Sequence, residues 1–433
     1  MQSDINAYVS TLEDQLITLR RDFHQYPELG WHEIRTASLI AAELARNNIA
    51  FKLGKEVFKV EDRMGLPSQA EMDENYQRAL EQGADPEYAP LLKDGFTGIV
   101  ATIGEGSGPA VALRFDIDAL PIMESDEADH VPQAGGFRSV NDGVMHSCGH
   151  DGHAAIGLGV CKTLKHFESE LKAPVKIFFQ PAEEGVRGAK AMSNSGELDN
   201  IDYLLTGHIA FKAKSSNTLI VSTDGFLATS KLDAVFKGKS AHAGAAPQDG
   251  KNALLAAATA VLNLHAIPRH AGGFSQINVG KMNAGTMRNG ICADATLLIE
   301  TRGYDSAINE YMEEKAQRIL KAAADMYDCE VDITFEGSAA SGDSDSEVAD
   351  VAREVAAEIT EYTEISEDPN FNGSEDATFL MSKVQKQGGK AGYMMFGSEI
   401  AENHHHPRFD FNEVSIASAV KLVSGMAIRI SQK

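Results

Sequence analysis

Short apolar segments of strand length alternate along this chain with segments of helical periodicity. Residues 110–120 (AVALRFDIDAL) place apolar side chains at every second position, as expected for a strand. Strands that alternate with helices usually pair in parallel and are covered by the helices. The alternation predicts an α/β fold with a mostly parallel sheet. Further apolar strand segments lie at 174–180, 202–206 and 391–396, and helical patterns at 154–167 and 412–430.

The middle of the chain, from about residue 219 to 337, follows a different order. Here the pattern predicts strand, helix, two strands, helix and strand, which resembles a ferredoxin-like α+β unit. We therefore predict a larger α/β domain formed by residues 1–220 and 338–433, and an inserted ferredoxin-like domain formed by residues 221–337. A charged segment at 55–94 is predicted to be a helical insertion before the strand at 98–103.

Composition excludes several classes of partner. The chain has 39 basic and 63 acidic residues among 433, a net charge of −24, which argues against nucleic acid or an anionic membrane as partner. The N-terminal segment has neither the basic nor the apolar part of a signal peptide, and no apolar run has the length of a membrane span. Four scattered cysteines do not form a disulfide framework. We therefore expect a cytoplasmic protein.

The segment 145–153 (MHSCGHDGH) concentrates one cysteine, three histidines and an aspartate in nine residues. Thiolate, imidazole and carboxylate groups are the ligand types that zinc and similar metals select. Taken alone, the motif is equally compatible with a reactive cysteine or with exposed loop histidines. Its interpretation depends on the rest of the chain.

Other polar residues follow predicted strands closely. Glu183 and Glu184 come just after the strand ending at Gln180, His208 follows the segment 202–206, and a triple histidine at 404–406 comes shortly after the strand ending at Phe396. Each of these alone could be an exposed acidic pair or an ordinary loop histidine. In an open α/β sheet, however, the carboxyl edge of the strands is where sites assemble. The sequence therefore predicts a site at this edge.

Seven motifs together resemble the M20 metallopeptidase and amidohydrolase family, in its aminoacylase-like branch. They span the chain and, as a set, are highly specific. The motifs are RRDFHQYPELGWHEIRTA (20–37), RFDIDALPI (114–122), MHSCGHDGHAA (145–155), FQPAEEG (179–185), SAHAGAAPQDGKNAL (240–254), NGSEDAT (372–378) and HHPRFDFNE (405–413).

The resemblance implies a site for two divalent metal ions, Mn²⁺ or Zn²⁺. His405 is assigned by the His-x-Pro-x-Phe pattern, which His404 matches less well. Glu183 would be the general base and Glu184 a ligand, although sequence order alone does not separate these two roles. The implied ligands are Cys148, His150, Glu184, His208 and His405.

The resemblance also implies roles around the metal ions. His242, in the inserted lid and dimerisation domain, would stabilise the oxyanion by reaching into the active site of a partner subunit. Asn289 and Arg302 would hold the substrate carbonyl and carboxylate. Asp116 and Asp376 would orient ligand histidines. No role is assigned to Asp151 or His153.

The implied activity is hydrolysis of the amide bond of small N-acyl or N-aroyl amino acids. The motifs RMGLP (63–67) and DGFTGIVATI (94–103) resemble a branch that cleaves p-aminobenzoyl-glutamate, which is therefore the favoured substrate, with acetyl-amino acids and hippurate as alternatives. The chain would form a homodimer or a heterodimer with a homologous B subunit.

Two other functions stay open at this point. A thiol hydrolase could use Cys148 as its nucleophile, but it would leave Glu183, Glu184, His208 and His405 without a role. A non-catalytic subunit is the other possibility, and the presence of Glu183 argues against it.

Overall fold

The computed structural model describes all 433 residues, and they form two compact units. The larger unit contains Met1–Asp224, Asp343–Phe371 and Asp376–Lys433. The smaller unit contains Gly225–Gly342 and Asn372–Glu375. The inserted domain was predicted to cover residues 221–337.

The chain forms twelve strands and eleven α-helices. The strands are β1 (Ala50–Leu53), β2 (Ile99–Ile103), β3 (Val111–Asp116), β4 (Val175–Gln180), β5 (Tyr203–Ile209), β6 (Thr218–Thr223), β7 (Ala228–Lys237), β8 (Ser275–Ala284), β9 (Asp294–Gly303), β10 (Glu330–Ala339), β11 (Glu364–Asp368) and β12 (Lys390–Phe396). The helices are α1 (Gln2–Gln25), α2 (Ile34–Arg46), α3 (Gln69–Glu81), α4 (Val131–Gly135), α5 (His150–His166), α6 (Ala189–Ser193), α7 (Ala253–His265), α8 (Ser306–Asp325), α9 (Ser346–Ala356), α10 (Ala377–Lys386) and α11 (Val414–Ser431).

The larger unit is built on an eight-stranded sheet with a parallel centre. Its strand order is β1-β2-β4-β3-β5-β12-β6-β11, and β4, β3, β5 and β12 pair in parallel. Antiparallel pairs join β1 to β2, β2 to β4, and β6 to β12. Every residue of β3 is buried, as expected for an interior strand covered on both faces. The predicted α/β class is confirmed.

Helix α5 packs against α1, α11 and the parallel strands. Gly157 in α5 allows a close approach to the sheet, because a Cβ atom there would lie 2.6 Å from the Phe179 ring and 2.9 Å from that of Phe115. By length and composition α11 could span a membrane, but 89% of it is buried inside the structure. Its apolar surface therefore belongs to the core.

The smaller unit has the predicted ferredoxin-like order. Strands β7, β8, β9 and β10 form an antiparallel sheet in the order β10-β7-β9-β8, and helices α7 and α8 pack on it. The buried positions alternate along β9, so one face of the sheet meets the helices.

The insertion at 55–94 is only partly helical, contrary to the prediction. Its one α-helix is α3, which begins with a capping box between Ser68 and Glu71. Proline at positions 67, 86 and 90 limits helix formation around it. The rest consists of short 3₁₀ turns and loops that connect to β2.

Candidate metal centre

The candidate ligands lie around the carboxyl edge of the parallel strands. Glu183 and Glu184 follow β4, and His150 is the first residue of α5. His208 lies inside β5, near its end, and not beyond the strand as predicted. His405 lies in the loop after β12. The sheet therefore positions these groups at one edge, as the sequence indicated.

Several residues beside the candidate ligands have strained backbones. Ala182 and Val186, on either side of the glutamate pair, have φ values of 52° and 61°. Ala210, just after His208, has φ of 63°, and His405 itself has φ of 64°. The left-handed region is unfavourable for residues with a Cβ atom, especially β-branched valine, and such strain gathers at functional sites.

A first group of ligand atoms comes from Cys148, His150 and His208, which are all buried and within 4.8 Å of one another. The Sγ of Cys148 lies 3.4 Å from Nε2 of His208. The Nδ1–H of His208 donates to the carbonyl of Ile209 at 2.8 Å, so Nε2 keeps its lone pair. Burial, with the nearby His153 and His404, holds the pKa of His208 well below its usual value. His208 is therefore neutral, the form that binds metals.

A second group comes from Cys148, Glu184 and His405, again within 4.8 Å of one another. Nε2 of His405 lies 3.5 Å from Oε1 of Glu184. Of the neighbouring histidines, His404 stacks on a phenylalanine ring and His406 accepts a backbone N–H at 3.1 Å. Because Cys148 belongs to both groups, its thiolate could be shared by two metal ions.

Two buried polar atoms at this site have no hydrogen-bond partner: Nε2 of His150 and Oε1 of Glu184. Buried polar atoms are rarely left unsatisfied. Burial opposes a positive charge on His150, but the carboxylates of Asp116 and Asp118 outweigh it and raise the pKa of His150 to about 10. The site thus favours a cation, and its sulfur, nitrogen and oxygen donors suit a divalent transition metal.

Glu183 lies beside the two groups that contain Cys148 and belongs to neither of them. Its Oε2 is 4.0 Å from Nε2 of His150. The backbone N–H groups of Glu183 and Glu184 donate to the two carboxylate oxygens of Asp118, at 3.1 and 2.9 Å. Asp118 therefore fixes the loop that carries both glutamates, a role that the sequence did not reveal.

Asp116 and His153 contact each other and residues beside the candidate ligands. The Nδ1 of His153 lies 2.5 Å from Oδ1 of Asp116, and its Nε2 accepts the backbone N–H of Ile209 at 2.9 Å. Both ring nitrogens of His153 are therefore used within the protein. Asp116 also approaches Nε2 of His150 to 3.7 Å.

Asp376 is hydrogen-bonded to β3, to β4 and to the segment that follows Glu184. Its carboxylate accepts hydrogen bonds from Arg114 and Gln180, at 3.2 and 2.9 Å. It also accepts the backbone N–H groups of Gly188 and Ala189, at 3.1 and 2.9 Å. These bonds hold the segment that follows Glu184. The orientation of a ligand histidine by Asp376 stays a prediction.

A buried ionic network holds α1 against the first turn of α5. The guanidinium of Arg20 donates to Asp151 at 2.7 Å and to Asp410 at 2.6 Å. His24 contacts Asp151 at 2.8 Å and Glu124 at 2.9 Å. The network gives Asp151 a structural role next to His150. Most of its members lie in the family motifs, which mark these residues but do not show how they pair.

We expect the stability of the protein to fall as the pH rises from 7 to about 9.5. Burial opposes protonation of His24, but its bonds to Asp151 and Glu124 prevail and raise its pKa to about 9. A histidine with a raised pKa stabilises the fold fully at pH values below its unfolded pKa of about 6.5. This stabilisation, here on the order of 3 kcal/mol, is lost as the pH rises through the folded pKa. Melting temperature against pH should show this slope. The variant His24→Asn should lose most of it, and an unchanged slope would refute the assignment.

In the smaller unit, His242 and Asn289 are neighbours. His242 pairs with Gly290, and the backbone N–H of Ala243 donates to the carbonyl of Asn289 at 3.0 Å. Asn289 precedes the first residue of β9 in the sequence. Arg302 lies near the last residue of that strand, about 27 Å along it from the first. Asn289 and Arg302 therefore lie towards opposite ends of β9 within one copy of this unit, and their roles towards the substrate stay predictions.

A family model described as "Peptidase family M20/M25/M40" matches residues 112–429. The chain belongs to this family. It is therefore a hydrolase of a metal-dependent family, as the motifs predicted. A nucleophilic role for Cys148 loses its support, because its sulfur lies in both candidate ligand groups.

Relatives cover nearly the whole of this chain. It is 46% identical to the A subunit of p-aminobenzoyl-glutamate hydrolase from Escherichia coli (strain K12) over 428 residues, 98% of each chain. It is 43% identical to indole-3-acetyl-aspartic acid hydrolase of Enterobacter agglomerans over 426 residues, again 98% of each. The crystal structure of an aminobenzoyl-glutamate utilization protein from Klebsiella pneumoniae matches with a TM-score of 0.84 and 38% identity, and 98% of each chain is covered.

Proposed function

We propose that this M20 hydrolase cleaves the amide bond of N-aroyl amino acids, with p-aminobenzoyl-glutamate as its preferred substrate. The products would be p-aminobenzoate and glutamate. The observation that carries the proposal is the pair of ligand groups that share Cys148, with Glu183 beside them. The relatives named above support the substrate class.

We propose that two divalent ions, Mn²⁺ or Zn²⁺, are held by Cys148, His150 and His208 on one side and by Cys148, Glu184 and His405 on the other. When bound, such ions lower the pKa of a coordinated water toward about 7 and polarise the substrate carbonyl. The four free cysteines agree with a reducing compartment such as the cytoplasm.

Glu183 is the proposed general base. Its carboxylate lies close to His150 but outside the two groups that contain Cys148. It would accept a proton from the attacking water as the new C–O bond forms. It would then return that proton to the amide nitrogen, so that the C–N bond breaks and glutamate leaves as an amine. A proton shuttle of this kind contributes about 10²–10⁴-fold to the rate.

His242 is proposed to stabilise the oxyanion. Its Nδ1 accepts the backbone N–H groups of Gly244 and Ala245, at 3.2 and 3.1 Å, so that Nε2 carries the ring proton. Because the residue is exposed, this N–H can donate to a developing negative charge. We propose that His242 and Asn289 act in the site of a partner subunit, and that Arg302 binds a substrate carboxylate with its planar guanidinium.

The partner could be a second copy of this chain or a homologous B subunit. The Escherichia coli relative is named as one subunit of its enzyme, which supports an assembly of two chains. Indole-3-acetyl-aspartate is a second candidate substrate, because the Enterobacter agglomerans relative is a hydrolase of that compound.

A substrate screen tests the proposed function. The metal-loaded protein, alone and with a homologous B chain, should hydrolyse p-aminobenzoyl-glutamate with a kcat/KM at least about tenfold above that for hippurate or acetyl-amino acids, a difference of about 1.4 kcal/mol. Chelation followed by dialysis should abolish the activity, and Mn²⁺ or Zn²⁺ should restore it. Full activity of the metal-free protein would contradict the proposal.

A further inference from the structure

A cavity of about 420 Å³ lies beside Glu184 in the larger unit. Apolar side chains from three separate segments line it, among them Leu29, Pro67 and Leu120. Cavities of this size accommodate small molecules, and their apolar walls favour ring systems. Because Glu184 is itself part of the lining, a molecule in the cavity would lie next to the candidate metal centre.

One lining side chain, His32, is buried without any hydrogen bond. Only 7% of its surface is exposed, and neither ring nitrogen has a partner. Burial lowers the pKa of His32 to about 4, so the imidazole is neutral near pH 7 and has one acceptor and one donor nitrogen. An unsatisfied buried imidazole weakens the fold unless a ligand supplies the missing bond.

The turn that carries His32 is strained and is held in place by the insertion. Trp31, the preceding residue, has a φ of 70°, which is unusual for a bulky side chain. Its indole N–H donates to the carbonyl of Met64 at 2.8 Å, and the Arg63 guanidinium lies 5.6 Å from its ring. Both contacts come from the insertion at 55–94. The insertion therefore fixes the position of His32.

The charges around the cavity indicate which half of the substrate it takes. Two carboxylates, of Glu71 and Glu184, line it together with a single cation, Arg187. That guanidinium already donates to the backbone carbonyls of Glu184 and Gly65, at 2.8 and 3.1 Å. A dicarboxylate such as glutamate is poorly matched to this surface. A neutral aromatic acyl group is well matched.

We propose that this cavity binds the aromatic acyl group of the substrate, and that His32 accepts a hydrogen bond from an N–H group carried by that ring. The inference rests on the proposed function, because that function places the scissile carbonyl beside Glu184. An aniline nitrogen para to the carbonyl supplies such an N–H group, and an unsubstituted benzoyl ring does not. His32 is then a specificity-determining residue.

Product binding tests the proposal without turnover. In calorimetric titrations of the metal-loaded protein, p-aminobenzoate should bind about five- to tenfold more tightly than benzoate, the expected contribution of one hydrogen bond. The variant His32→Phe should bind the two acids equally, because p-aminobenzoate loses affinity. The preference in kcat/KM for p-aminobenzoyl-glutamate over benzoyl-glutamate should fall by the same factor.

His166→Phe is the matched control, since His166 is exposed at the end of α5, and it should leave the preference unchanged. The His32→Phe variant should melt at or above the temperature of the unmodified protein, because an apolar ring replaces an unbonded imidazole. His32→Asn, which keeps an acceptor, should retain part of the preference and serves as the second variant if His32→Phe does not fold.

The outcomes separate this inference from the proposed function. If the unmodified protein does not distinguish the two acids, or if His32→Phe keeps the full preference, the role of His32 is wrong. If the unmodified protein shows the preference but hydrolyses no N-aroyl amino acid with metal present, the proposed function is wrong, and only the binding of an arylamine at His32 stands.

Discussion

Replacing Glu183 with glutamine should lower kcat by about 10²–10⁴-fold while KM and the content of two metal ions per chain stay close to their original values. The substitution removes the proton acceptor and keeps the shape of the side chain. Glu183 lies outside the two candidate groups that contain Cys148, so the metal ions keep their proposed ligands. Steady-state kinetics and elemental analysis of the same preparation measure both quantities.

The neighbouring variant Glu184→Gln is the contrasting control. Oε1 of Glu184 lies 3.5 Å from Nε2 of His405 in the second ligand group, so its loss should weaken metal binding as well as activity. If Glu183→Gln loses metal and Glu184→Gln keeps it, the two roles are exchanged. A fully active Glu183→Gln variant would rule out the general-base role.

Replacing Cys148 with alanine should reduce the metal content from about two ions per chain to less than one and abolish activity. Its sulfur is common to both ligand groups, so one substitution removes a ligand from each. Cys148→Ala should therefore lose more metal per chain than a variant that lacks His405, because His405 belongs to only one group. Elemental analysis after gel filtration would measure this difference.

Cys161→Ala provides the matched control for that experiment. Cys161 is also a free, buried cysteine, and it lies within α5 away from the ligand groups. Its replacement should lower stability by about 1 kcal/mol through lost packing and leave two metal ions bound. Two ions retained by Cys148→Ala would contradict the shared-thiolate arrangement.

The sequence predicted the parallel sheet and the ferredoxin-like unit because periodicity is a local signal. The clean alternation at 110–120 and the different order at 219–337 both reflect which faces are buried. The insertion was harder to predict, because its charged composition favours helix and its prolines and glycines interrupt it. Helix α3 is therefore its single α-helix, and short 3₁₀ turns and loops form the rest.

The residue types of the site could be predicted from the sequence, but the arrangement of their side chains could be predicted only in part. The two adjacent glutamates have the same chemistry, and their loop is held by the bonds to Asp118 and has a strained backbone at Ala182 and Val186, neither of which the sequence shows. The contacts of Asp151 with Arg20 and His24 join residues more than a hundred positions apart, which no local pattern encodes. Asp376 matched the motif, but its partners depend on how the loop after Glu184 folds back.

Anomalous diffraction from crystals of the zinc- or manganese-loaded protein would locate the bound metal ions. We expect two peaks per chain, with Cys148 Sγ a ligand of both ions at about 2.3 Å for zinc. One ion should also be bound by His150 and His208, and the other by Glu184 and His405. A single peak, or two peaks away from Cys148, would contradict the dinuclear site.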